Sequence, residues 1–68
     1  MADPDDGIFK SGAKLRHIKT GGFYKVLLLA NIEATLEPAY VYESMQSHEF
    51  WIRPKTEMED GRFELITE

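Results

Sequence analysis

Polar and apolar side chains alternate along Lys14-Leu15-Arg16-His17-Ile18, the two-residue period of a strand with one face buried. Thr20-Gly21-Gly22 follows as a turn, because glycine reaches positive φ at little steric cost. Residues 23–31 then form the longest apolar run, with Tyr24, Val26, Leu28 and Ala30 on one face. Phe23, Leu27 and Leu29 occupy the other, interrupted only by Lys25. A strand apolar on both faces is either central in a curled sheet or partly covered by another chain. Helix is the competing reading for residues 23–37, since Leu, Ala and Glu favour it. The flanking turns and the aromatic and β-branched neighbours select strand.

Residues 33–38 read as a loop, with Pro38 unable to donate to a central ladder. Residues 39–45 (Ala-Tyr-Val-Tyr-Glu-Ser-Met) are rich in strand formers, and Gln46-Ser47-His48 turns the chain. A fourth strand over residues 49–53 is closed by Pro54, which removes a donor and keeps Arg53 extended. Thr56-x-x-Glu59 has the form of a capping box and predicts one helical turn. Asp60-Gly61 turns the chain into a short last strand over residues 62–66, with Phe63 and Leu65 on one face. The pattern predicts an all-β domain: a small five-stranded SH3-like barrel with one short helical turn before the last strand. Residues 1–13 read as a flexible acidic lead-in, and 14–68 as the single domain.

Composition narrows the function more than it identifies it. At 68 residues a domain buries roughly 60% of the surface its unfolded chain exposes, and no cysteine is present to add a disulfide or a thiolate metal site. The start of the chain is acidic without an apolar stretch, and the aliphatic run at residues 26–30 is far short of the ~20 residues of a membrane helix. The expectation is a soluble cytoplasmic protein with no membrane association. Charge is segregated. Residues 10–32 hold Lys10, Lys14, Arg16, Lys19 and Lys25 with no acid, while all 12 acids lie outside that window, for a net charge of −4. The basic hairpin either neutralises the acidic remainder within the fold or meets phosphate or an acidic surface.

No catalytic constellation is present. His17 and His48 lack the short spacing of metal ligands, Gly21-Gly22 is a hairpin rather than a phosphate loop, and no serine has an elbow context. Neither metal nor cofactor is expected. Glu57, Glu59 and Asp60 read as a solvated acidic turn. Trp51 and Arg53 share a strand face, with Tyr40 and Tyr42 as cross-strand neighbours, and form the leading binding candidates. An aromatic face flanked by arginine suits peptides, bases or an Arg-rich partner. Arg16, His17 and Lys19 join that surface if the first strand packs beside the last. The competing reading makes Trp51 a core residue and pairs Arg53 with Glu57 in a bidentate contact that pins the turn. Tyr24, Gly21, Gly22, Pro54, Glu57, Asp60, Gly61 and Phe63 are assigned structural roles.

Arg16-His17-x-Lys19, Tyr24-x-Val26, Val41-Tyr42 and Trp51-Ile52-Arg53-Pro54 together resemble the DUF1653 family of small bacterial and bacteriophage proteins. The ending Glu57-Met58-x-Asp60-Gly61-Arg62-Phe63-Glu64 is similar to a phage or prophage subset, and the resemblance spans residues 14–66. Thr20 is an insertion relative to that pattern, and Ile32-Glu33-Ala34 stands where the family often has His-Thr-Glu. The family implies no activity. The expectation is therefore a non-enzymatic binding module for a protein partner, of the phage or prophage accessory kind, with nucleic acid as the alternative ligand and an enzyme as the third reading. A homodimer through strand 23–30 is the further expectation, since that strand carries apolar surface on both sides.

Overall fold

A computed structural model of the chain describes residues 7–66; the acidic residues 1–6 of the lead-in lie outside the described residues. The elements are β1 (Lys14–His17), β2 (Phe23–Asn31), β3 (Pro38–Ser44), β4 (Phe50–Pro54), α1 (Lys55–Met58) and β5 (Phe63–Ile66). They form one five-stranded antiparallel sheet in the order β4-β3-β2-β1-β5. The all-β reading and the short helix before the last strand are both found. Closure is not. β4 and β5 stand at opposite edges of the sheet, so the strand set curls around its core without joining into a barrel.

The doubly apolar β2 has two causes. It is central, with β1 on one side and β3 on the other, and it contains a β-bulge. Val26 faces Tyr42 and Leu28 faces Val41, which leaves Leu27 as the extra residue. The bulge reverses which positions face inward. Val26 is buried before it and Leu29 after it, while Leu28 is exposed. A regular two-residue alternation therefore misassigns the half of β2 beyond Leu27. Chain segment 11–13 docks at the irregularity. The Ser11 hydroxyl donates to the Leu27 carbonyl at 2.7 Å, Gly12 N–H to the Val26 carbonyl at 2.7 Å, and Val26 N–H to the Ala13 carbonyl at 2.8 Å.

The core gathers Phe9, Leu15, Val26, Leu29, Tyr40, Tyr42, Met58 and Phe63. Aromatic rings dominate it. Tyr24, Tyr42 and Phe63 meet edge to face at centroid distances of 5.4–5.9 Å, with Phe9 tilted on Tyr40 at 5.6 Å. The lead-in contributes Phe9 to this core, so its described part is anchored to the domain by Phe9 and by the hydrogen bonds of residues 12 and 13. Gly7 is needed at its place, because a Cβ there would overlap the Tyr40 hydroxyl.

α1 begins at Lys55, one residue before the expected capping box, and Pro54 precedes it with no side-chain cap. Proline suits that place, since it lacks the N–H that a helix start would leave unsatisfied. Thr56 lies inside the turn and does not cap it. The one buried side chain of α1 is Met58, which enters the core.

Candidate functional site

The register puts the sequence candidates beside one another but gives them unequal surroundings. Tyr42 faces Trp51 and Tyr40 faces Arg53 across β3 and β4. Tyr40 is 0% exposed and Tyr42 6%, so both belong to the core rather than to a binding platform. Trp51 is 48% exposed and is not a core residue. Its neighbours Phe50 and Ile52, on the opposite face of β4, are 67% and 66% exposed. β4 is an edge strand, so three consecutive large apolar side chains stand open at the margin of the sheet. Phe50 and Ile52 were not singled out in the sequence. Their edge position depends on strand order, which local alternation does not contain.

The Tyr40 hydroxyl is the centre of a tight network. It donates to Glu59 Oε2 at 2.6 Å and accepts the Phe9 N–H at 3.2 Å. Ile8 N–H reaches the same Glu59 oxygen at 3.1 Å, and Lys55 Nζ lies 3.7 Å from the other. Burial, followed by the bond to Glu59, pushes the Tyr40 phenol up to about 12. Glu59 is thus a tie between α1, β3 and the lead-in. Its partner lies 19 residues upstream, so the reading of an exposed acidic turn missed it.

Arg53 pairs with Glu57, but through one nitrogen rather than a bidentate fork: Nη1 is 3.3 Å from Glu57 Oε1. Hydrogen bonding with Tyr42 is the chief cause that raises the guanidinium further above its ordinary value, with the Glu57 and Asp60 charges adding to it. Arg62 joins the same carboxylate, with Nη1 3.5 Å from Glu57 Oε1. Asp60 orients Arg62 by accepting from its Nε at 2.9 Å and from its backbone N–H at 3.2 Å. Gly61 supplies the φ of +102° that this turn requires.

His17 approaches from the end of β1 and Lys19 from the β1–β2 turn, where Gly21 adopts a φ of +76°. Ile18 N–H donates to the Arg62 carbonyl at 2.9 Å, which latches this turn to the start of β5. The His17 ring stacks edge-on against Phe63 at 4.8 Å. Thr20 N–H lies 3.3 Å from His17 Nδ1; a backbone N–H only donates, so Nδ1 accepts and the ring proton is on Nε2. His17, Ile18, Lys19, Arg53, Gly61 and Arg62 line one cavity of about 490 Å³.

Compared with known proteins, the chain matches no family model, no curated protein and no solved structure. Arg16 lies outside the cavity: it alternates with His17 along β1, faces Phe23 and Glu64 in the register, and has its Nε 3.5 Å from Glu64 Oε2. The basic side chains are divided, with Lys14, Arg16 and Lys25 on one face of the sheet and Lys19, Arg53 and Arg62 at the cavity. Among the described residues no group of three or more His, Cys, Asp and Glu side chains is placed to hold a metal ion. No helix of the described residues is long and apolar enough to cross a membrane.

Proposed function

We propose that this domain acts by binding rather than catalysis, as a protein-interaction module whose contact surface is the β4 edge. One observation carries the reading: Phe50, Trp51 and Ile52 are all exposed on a strand that, among the described residues, forms an edge of the sheet. A free edge offers backbone donors and acceptors to an extended segment of a partner, and alternate side chains on both faces supply specificity. Trp51 belongs to the side-chain class most enriched in interface anchors. Arg53, paired with Glu57 across one turn, holds the strand end in place.

The strand order, with β1 between β2 and β5, supports an SH3-like kinship in an open form, and the family resemblance of residues 14–66 supports a phage or prophage accessory role. Both are parts of the same proposal. For a homodimer, β2 contributes Leu28, and the β4 edge contributes the larger exposed apolar surface. Nucleic acid is the second reading; the division of basic residues between one sheet face and the cavity makes it weaker than the protein reading.

The test uses Trp51→Ala and Ile52→Lys, both at exposed positions. Immobilised wild-type domain retains a partner protein that both variants release, while circular dichroism shows each variant folded. Retention of the same partner by both variants overturns the β4 assignment. Binding of a single-stranded oligonucleotide that weakens steeply with salt would favour the second reading instead.

A further inference from the structure

The cavity of about 490 Å³ lies at the seam where the sheet does not close. Arg53 reaches it from β4 at one edge, and Gly61 and Arg62 from the segment entering β5 at the other. The end of β1 contributes His17, and the β1–β2 turn Ile18 and Lys19. We propose that this seam is a binding site for a small phosphate-bearing organic molecule, of the size of a nucleoside monophosphate. The proposal is independent of the β4 edge reading, because its deciding residues, Lys19 and Arg62, lie outside that strand.

Charge and donor geometry carry it. Arg53, Arg62 and Lys19 set three basic side chains against the two carboxylates of Glu57 and Asp60, leaving the seam positive within a chain of net charge −4. Glu57 Oε1 touches an Nη1 of both arginines, so one carboxylate oxygen holds the two guanidinium groups side by side. Each guanidinium has five N–H donors, and these contacts use only part of that set. His17 spends Nδ1 on Thr20 and keeps Nε2–H as its remaining donor.

Donors thus approach from three chain segments. A tetrahedral phosphate with three terminal oxygens can accept from all of them, whereas a planar carboxylate is matched by one arginine fork. The volume falls in the range of small-molecule sites and exceeds what a bare anion fills. Ile18 adds an apolar wall for the organic part. Gly61 contributes no side chain to the mouth, and nothing lies within 4 Å of where its Cβ would be.

The experiment is an amide chemical-shift titration of the full chain at constant ionic strength, with inorganic phosphate and with adenosine monophosphate as separate probes. The expected result is saturable shifts confined to residues 17–19, 53 and 60–62, with the nucleotide binding more tightly than phosphate. Lys19→Ala and Arg62→Gln should each weaken nucleotide binding about tenfold, the loss of one charge-assisted contact, and Lys25→Ala outside the cavity should leave it unchanged. Shifts that do not saturate, equal affinity for the two probes, or unchanged affinity in folded Lys19→Ala and Arg62→Gln variants would overturn the assignment. A phosphoserine peptide is the remaining arm: if it binds at the seam more tightly than the nucleotide, the ligand is a modified protein and the small-molecule assignment is wrong.

Discussion

β3 and β4 are adjacent antiparallel strands of similar aromatic content, and they have opposite fates. Each β3 residue is buried or half-buried, whereas Phe50, Trp51 and Ile52 of β4 are exposed. The register makes the contrast sharpest at one pair, where buried Tyr42 faces half-exposed Trp51. Apolar character does not separate the two strands; coverage does. β3 has strands on both sides, and its inward side chains are covered by α1 and by the lead-in through Phe9 and Gly7. Among the described residues β4 has a neighbour on one side only. An aromatic strand in so small a domain is thus either filled in from several directions or left for another molecule.

That contrast is most directly broken at Tyr40. Tyr40→Ala removes a fully buried ring and should cost about 3–5 kcal/mol, a large part of the stability of a domain this small, read from the midpoint of urea denaturation. A smaller loss is expected from Tyr40→Phe, which keeps the ring but removes the donor to Glu59 and the acceptor for Phe9 N–H. It should cost about 1.5–3 kcal/mol by the same measurement.

The same pair of proteins gives a pH test. The folded phenol titrates near 12 and the unfolded one near 10, so its contribution is fully present below pH 10 and is lost as pH rises through 12. Stability of the wild type should fall over that window by at most about 2–3 kcal/mol, with a shallower slope in Tyr40→Phe. Equal slopes would remove Tyr40 from the account.

Gly7→Ala should cost about 1–3 kcal/mol, because the new methyl overlaps the Tyr40 hydroxyl and must displace either the lead-in or the ring. Faster amide exchange at Ile8 and Phe9 would show that the lead-in gives way. On the other strand, Ile52→Thr should change stability by no more than about 0.5 kcal/mol, since the side chain is exposed. A cost at Ile52 comparable with Tyr40→Phe would mean that β4 is covered in solution and would sharpen the search for what covers it.

Strand number, strand positions and the turns at Gly21 and Gly61 were legible in the sequence, because each rests on local alternation or on a residue that tolerates positive φ. The pairing of Arg53 with Glu57 was legible too, being a contact four residues long. Three features were not. The Tyr40–Glu59 bond joins residues 19 apart, and nothing near Glu59 marks it as other than a surface acid. Tyr40 and Tyr42 alternate as well for a binding face as for a core face, and only the cover supplied by Phe9 and Met58 decides between them. The alternation at the end of the chain places Arg62 in the last strand. Its role at the seam follows from β4 and β5 failing to meet, a property of the whole sheet.

The bulge in β2 gives the chain a residue of slack. Val26 faces Tyr42 and Leu28 faces Val41, so a chain lacking Leu27 would join two positions whose side chains already point to opposite faces. Such a shortened strand keeps Val26 and Leu29 inward and Leu28 outward, and gives up only the docking point of Ser11. An added residue has no such refuge, because it must create a second irregularity or turn half the strand inside out. The longest strand of this domain is therefore built to tolerate a loss in length more readily than a gain.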